Sequence, residues 1–164
     1  MTDQEILEFW DSEQLVRWPR QQLHHSSLPE AAKAFLLEVG LPRTVGFTLK
    51  LGPALRPQSP PNALFVLGYD DETVVAIDLM SHACTSFDES TSERRFINSD
   101  IRKFAVCLTF YEHYRRQGRG LEEHEFLKLI TAIEGQIRSE DSMAFADPDF
   151  HWPVIIEQMR TGLL

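Results

Sequence analysis

The sequence has no long hydrophobic run and only two cysteines. No apolar stretch in its 164 residues approaches the roughly 20 residues that a membrane-spanning helix requires. Residues 1–5 are acidic and lack the basic start and apolar segment of a signal peptide. Cys84 and Cys107 occur among apolar residues, which favours reduced core cysteines over a disulfide or a metal site. These features predict a cytoplasmic protein with no membrane segment.

Positive charge is also scarce, since the formal net charge is -9 at pH 7. A nucleic-acid-binding protein normally carries a basic patch that replaces the counterions on phosphates. The local basic group of Arg115, Arg116 and Arg119 is better explained as compensation of the negative end of a helix. The charge balance therefore argues against nucleic acid as a partner. It favours either a basic partner or solubility alone, and composition does not separate these two explanations.

The common motifs of catalytic and metal sites are missing. Gly118 and Gly120 follow a helix instead of joining a strand to a helix, so they do not form a phosphate-binding loop. His124 is not followed by a second histidine at metalloprotease spacing, and the paired cysteines of a zinc deaminase are absent. The adjacent His24 and His25 point in different directions on a helix or strand, which makes them poor joint ligands. We therefore predict no catalytic residues, no metal and no other cofactor, and an enzyme built on scattered histidines and carboxylates is the remoter alternative.

The most informative stretch that is present is a junction between a strand and a helix. Phe96 and Ile97 suit a strand, and Asn98 and Ser99 offer side-chain oxygens that cap a first helical turn. Asp100 adds negative charge where the helix dipole is positive. Apolar residues then recur at helical spacing until Gly118, a usual stop: Ile101, Phe104, Leu108 and Tyr111.

Local patterns in the rest of the chain predict helices, then a sheet, then helices. Capping-box spacings at Thr2–Glu5 and Ser27–Glu30 predict two N-terminal helices, the second of which ends at Gly40. Strands are predicted at 47–51, 63–67, 73–79 and 82–87, with a proline-rich loop from Gly52 to Asn62. Two C-terminal helices are predicted, one that includes residues 126–137 and one that begins near residue 153.

This order of elements predicts an α+β fold. The connections between the strands are too short for helical crossovers, so an antiparallel meander is expected. We expect the helices to pack mainly on one side of this antiparallel sheet and residues 1–164 to form a single domain.

The junction resembles the "FVNSSLxxF…L…Y" signature of the SUKH immunity-protein superfamily and lies nearest its fourth subfamily. The residues that carry the resemblance are Phe96, Ile97, Asn98, Ser99, Asp100, Ile101, Phe104, Leu108 and Tyr111. Supporting matches in the expected order are Phe35-Leu36, Gly40-Leu41-Pro42 before Phe47, Leu67-Gly68 and Val75-Ala76-Ile77-Asp78. The chain departs from the pattern at Leu79–His82, where the family often has a glycine in a hairpin.

The resemblance implies a SUKH-like α+β fold and a non-enzymatic role. Members are mostly bacterial antidotes that are encoded beside polymorphic toxins and block them by binding. A cognate toxin domain is therefore the implied partner, and the acidic surface would suit a nuclease or nucleic-acid deaminase toxin, whose cleft attracts phosphate. The alternative is an intracellular scaffold or adaptor, a role that other members of the superfamily have.

We predict that the partner binds at two acidic turns, because carboxylates there would match a positive cleft. The first turn contains Asp70, Asp71 and Glu72, and the second contains Asp88 and Glu89. Turn formation by itself explains the same residues, so this alternative stays open. The sequence does not indicate an oligomeric state.

Overall fold

The computed structural model of the chain describes residues 1–46, 48–53 and 63–163. The helices in these ranges are α1 (Asp3–Phe9), α2 (Arg20–His24), α3 (Glu30–Glu38), α4 (Ile101–Gln117), α5 (Glu123–Glu140) and α6 (His151–Arg160), with a 3-10 helix at Ser142–Phe145. The strands are β1 (Leu15–Val16), β2 (Leu41–Pro42), β3 (Thr44–Val45), β4 (Leu49–Leu51), β5 (Leu64–Asp70), β6 (Thr73–Asp78), β7 (Cys84–Asp88) and β8 (Arg94–Asn98). Phe47 and most of the predicted proline-rich loop lie outside the described residues.

Strands β3 to β8 form one six-stranded antiparallel sheet in which each strand pairs with its neighbours in chain order. The predicted meander is therefore confirmed. Strand β5 has a bulge between Val66 and Gly68, where a Cβ on Gly68 would lie 2.0 Å from the carbonyl oxygen of Lys50. Only glycine permits this close approach of two strands. Strands β1 and β2 form a separate two-stranded sheet that the sequence did not indicate.

The helices cover one face of the six-stranded sheet. Successive strand residues point to opposite faces. Leu67, Val75 and Ile77 belong to the large core cluster that they share with the helices, whereas Val74 and Ala76 belong to a separate small cluster. Helix α4 contacts α1, α3, α5 and β8, so it lies at the centre of the helical layer. The α+β fold with an antiparallel sheet is confirmed.

The predicted junction between strand β8 and helix α4 is present, but its cap differs from the prediction. The N-cap is Asp100, whose Oδ1 accepts the Lys103 N–H at 2.8 Å. Asn98 and Ser99 do not cap the helix, because their side chains bond to Asp141 instead. Helix α4 ends at Gly118, as predicted.

Of the two capping boxes predicted in the N-terminal region, one is present and the other is not. Thr2 and Glu5 form the predicted box at the start of α1. The predicted box at Ser27–Glu30 is wrong: Pro29 is the N-cap of α3 and makes no side-chain cap bond. Glu30 is therefore the first helical residue, and its carboxylate pairs with Lys33 at 2.9 Å. Helix α2 was not predicted.

The segment that departs from the family pattern still forms a tight turn between β6 and β7. Asp78 Oδ1 accepts the N–H groups of Met80 and Ser81, each at 2.9 Å. His82 then adopts a positive φ of 62°, the conformation for which glycine is usual. A side-chain acceptor and one left-handed residue therefore replace the glycine of the family hairpin.

Candidate functional site

One end of the six-stranded sheet gathers the two acidic turns. Alternate connections of an antiparallel meander lie at the same end of the sheet, so the β5–β6 and β7–β8 turns are neighbours. The register places Asp70 opposite Thr73 and Thr73 opposite Asp88. All the predicted binding residues come together here, and with Glu93 we call them the acidic end: Asp70, Asp71, Glu72, Asp88, Glu89 and Glu93.

The members of the acidic end differ in exposure. Asp71, Glu72 and Glu89 are exposed, whereas Asp70 and Asp88 are partly buried. Asp71 has a positive φ of 50°, which aspartate tolerates better than most residues in a tight turn. Glu93 is exposed as well, so four carboxylates of the acidic end are open to solvent and the other two sit at the edge of the underlying groove.

Asp88 also has a role within its turn, as turn chemistry predicted. Its Oδ1 accepts the Ser90 hydroxyl at 2.6 Å, the Ser90 N–H at 2.8 Å and the Thr91 N–H at 3.2 Å. These bonds, led by the Ser90 hydroxyl, lower the pKa of the Asp88 carboxyl. Asp70 accepts a hydrogen bond from the hydroxyl of Thr48 on its Oδ1. Asp88 is thus held in place by its own turn, and Asp70 by the turn that contains Thr48.

A groove opens between the acidic end and helix α6. Its polar compartment has a volume of about 250 Å³ and is lined by Asp70, Asp88, Glu93, Arg95 and residues of α6. The Arg95 guanidinium lies 3.9 Å from the Glu93 carboxylate. Sequence reasoning missed Glu93 and Arg95. Arg95 lies two residues before the buried Ile97 in the same strand. Because alternate strand residues share a face, this spacing is the signal that would have placed Arg95 on the same face of the sheet as Ile97.

An apolar compartment of about 150 Å³ adjoins the polar one and extends between the sheet and helix α4. The two compartments share the lining residues Asp70, Val75, His151 and Ile155. The apolar compartment is further lined by Val45, Gly46, Thr48, Leu49, Ile97, Phe104, Leu108, Tyr111 and Trp152. The groove therefore offers an apolar interior beneath a negatively charged entrance.

His151 lies where the two compartments meet. Its ring contacts Trp152 edge to face at a centroid distance of 5.2 Å. Burial lowers the pKa of this imidazole to about 4, a shift that the nearby Asp70 opposes and Arg95 reinforces. The ring is therefore neutral at pH 7 and adds no positive charge to the groove. The sequence did not single out His151, because no local pattern identifies its position.

The signature residues Asn98 and Ser99 lie in a different, closed polar network centred on Asp141. This carboxylate is 1% exposed. It accepts the Asn98 amide at 3.0 Å, the Ser99 N–H at 2.7 Å and the Ser99 hydroxyl at 2.6 Å. The Asn98 carbonyl oxygen in turn accepts the indole N–H of Trp152 at 3.0 Å. The network therefore joins β8, the end of α5 and α6.

The Asp141 network is satisfied internally. Burial by itself would raise the pKa of Asp141, but the bonds from Ser99 and Asn98, with the Lys103 ammonium 3.6 Å away, outweigh it and lower the pKa. Donors surround the carboxylate, and the Trp152 indole and the Asn98 amide have partners. This arrangement stabilises the fold, and sequence reasoning missed Asp141 because its partners are distant in sequence.

The remaining candidate residues do not assemble into a metal site. Cys84 and Cys107 are buried free thiols, as predicted, and burial raises the pKa of both. The rings of His24 and His25 meet edge to face at 5.2 Å. Across the described ranges no group of three or more His, Cys, Asp or Glu side chains could hold a metal ion. In the same ranges, no helix has the length and apolar character to span a membrane.

Comparison with known proteins identifies the family. A family model described as SUKH-4 immunity protein matches residues 1–158, which is nearly the whole chain. Comparisons with curated proteins and with solved structures give no significant match. The matched range contains the junction signature, the Asp141 network and the acidic end. The chain therefore belongs to the SUKH-4 immunity protein family.

Proposed function

We propose that this protein neutralises a cognate toxin domain in the cytoplasm by binding it through the acidic end. The toxin would be a nuclease or a nucleic-acid deaminase, because such enzymes need a positive cleft to attract phosphate. Residues 1–164 would act as one domain, and the inhibition would need no catalytic step. Carboxylates at the acidic end would occupy the positive cleft and accelerate association.

The observation that carries this proposal is the convergence of the two acidic turns. They are separated in sequence by a whole hairpin, yet the register brings them to one end of the sheet. Asp71, Glu72 and Glu89 have exposed side chains there. Exposed charge of one sign favours a partner of the opposite charge.

Co-expression with the toxic C-terminal domain encoded beside the gene tests the proposal. Cell survival and co-purification of the two proteins are the readouts, and the wild-type chain is expected to give both. An acidic-end variant, Asp71→Lys/Glu72→Lys/Glu89→Lys, is expected to lose protection because it reverses the exposed charge.

The matched control is Glu8→Lys/Glu13→Lys/Glu38→Lys, the N-terminal variant. It changes the net charge by the same amount at exposed positions of the N-terminal helical segment, and it should protect like the wild type. Full protection by the acidic-end variant would contradict the proposed surface. Absence of an adjacent toxic domain, together with co-purification of a cellular protein, would favour the scaffold alternative.

A further inference from the structure

The groove beneath the acidic end combines a polar compartment with an apolar one, which the exposed turns do not have. Its two compartments are adjacent, because Val75, His151 and Ile155 line both of them. The apolar compartment is lined by aromatic and aliphatic side chains, and the polar compartment is lined by carboxylates. An occupant that matches both ends needs an apolar group directly beside a cation.

We propose that the groove anchors the partner protein by taking an aromatic side chain and an adjoining arginine from one exposed segment of it. This inference rests on the proposed function and specifies its chemistry. Aromatic and arginine residues are the groups that most often dominate the energy of a protein interface. They would act here as a pair, the ring in the apolar compartment and the guanidinium at its polar entrance.

The apolar compartment suits an aromatic ring in size and lining. Its volume of about 150 Å³ equals that of an engineered protein cavity that binds benzene. Phe104, Tyr111 and Trp152 contribute ring surfaces to its walls. An inserted ring can meet such walls edge to face or offset, the arrangements that aromatic pairs prefer.

The polar compartment suits an arginine in charge and geometry. Asp70, Asp88 and Glu93 set three carboxylates against the single guanidinium of Arg95. The bonds that orient Asp70 and Asp88 reach Oδ1 of each carboxylate, so a donor from the partner would meet Oδ2. Guanidinium groups bind carboxylates through two parallel N–H donors, which favours arginine over lysine at this entrance.

A short peptide tests the groove without any toxin. The probe is acetyl-Phe-Arg-amide, titrated into the full chain and followed by backbone amide NMR shifts. We expect the largest shifts at Val75, His151 and Ile155. Acetyl-Phe-Glu-amide and acetyl-Gly-Arg-amide each lack one half of the anchor and should bind at least about tenfold more weakly, a loss of about 1.4 kcal/mol.

Two variants locate the binding within the groove. Ile155→Trp adds bulk at a residue that lines both compartments, and Asp70→Asn removes a carboxylate without adding bulk. Both should weaken the probe at least about tenfold. Leu127→Trp, at an exposed position of α5, is the control for the larger side chain and should bind the probe as the wild type does. Circular dichroism confirms that each variant is folded, and Asp70→Asn decides the question if Ile155→Trp does not fold.

The outcomes separate this inference from the proposed function. Equal probe binding by wild type and Asp70→Asn, or equal binding of the Arg and Glu peptides, would overturn the anchor. Protection from the toxin by a folded Ile155→Trp variant would also overturn it, while the acidic-end surface would stand. Failure of the wild type to protect would overturn the proposed function, and the peptide titration would still decide what the groove binds.

Discussion

The Asp141 network and the acidic end both depend on carboxylates, but the network buries one carboxylate among donors and the acidic end exposes several to solvent. Asp141 is 1% exposed and is surrounded by donors from Asn98, Ser99 and Lys103. At the acidic end, Asp71 and Glu89 are exposed. The polar groups of the Asp141 network form hydrogen bonds with one another, whereas the carboxylates of the acidic end face solvent.

This contrast separates the residues that carry the family resemblance from those that we expect to select a partner. A buried polar group without a partner costs free energy, so the closed network tolerates little change. An exposed carboxylate can be replaced at little cost to stability. The signature residues Asn98 and Ser99 therefore serve the fold, whereas the acidic end contributes little to stability.

Removal of the Asp141 carboxylate should give the largest loss of stability. Asp141→Ala deletes the acceptor of three hydrogen bonds from Asn98 and Ser99. Buried donors are left without a partner, which should lower the free energy of unfolding by about 3–5 kcal/mol. Urea unfolding followed by circular dichroism measures the change. Asp149→Ala removes an exposed carboxylate and should cost less than about 0.5 kcal/mol; equal stability of the two variants would refute the structural role of Asp141.

Removal of the indole N–H should give a smaller loss within the same network. Trp152→Phe leaves the Asn98 carbonyl oxygen without its donor, which should cost about 1–3 kcal/mol. A double-mutant cycle with Asn98→Ala isolates the bond from the change in packing. The two substitutions should couple by at least about 0.5 kcal/mol, and simple additivity would show that the bond contributes nothing.

The groove should make stability depend on pH through His151. Burial lowers its pKa to about 4 from the ordinary value of 6.5. Between these values the unfolded chain binds a proton that the folded chain does not. The contribution of His151 to the free energy of unfolding is therefore full above pH 6.5 and falls as the pH drops toward 4. The slope of this fall is up to roughly 1.4 kcal/mol per pH unit.

His151→Gln should flatten this slope when thermal unfolding is measured across the same pH range. Asp141 contributes in a separate, more acidic window, because its lowered pKa adds stability that is lost as the pH falls through and below its ordinary value of 3.8. An unchanged slope in His151→Gln would mean that the imidazole has the same pKa in the folded and the unfolded chain.

Local patterns predicted the parts of the fold that depend on neighbouring residues. The start of α1 at Thr2 and the stops at Gly40 and Gly118 were predicted because capping involves residues within one turn. A Cβ at Gly40 would lie 2.3 Å from the Val16 carbonyl oxygen, so its packing also demands glycine. The box at Ser27–Glu30 failed because Pro29 takes the N-cap position and shifts the helix start.

The rest of the candidate site depends on contacts that a linear pattern does not contain. Asp141 is 43 residues from Asn98 in sequence, and nothing near it distinguishes it from a surface carboxylate. The acidic turns were found because they form short runs, whereas the groove needs the sheet, α4 and α6 to be assembled first. The sequence therefore indicated the charged residues of the candidate site, but neither its apolar compartment nor His151, which lines both compartments.

The most direct test of the account is the association rate constant with the toxin domain, measured by stopped-flow at low and high salt. The acidic-end variant should remain folded but lose roughly 1 kcal/mol of stability, because Asp71 has a positive φ that lysine adopts less readily than aspartate. At low salt it should associate at least about tenfold more slowly than the wild type and lose most of the salt dependence. The N-terminal variant, which carries the same change in net charge, should retain both. Equal losses in the two variants would show that total charge alone drives association, and no loss in either would contradict the acidic end as the binding surface.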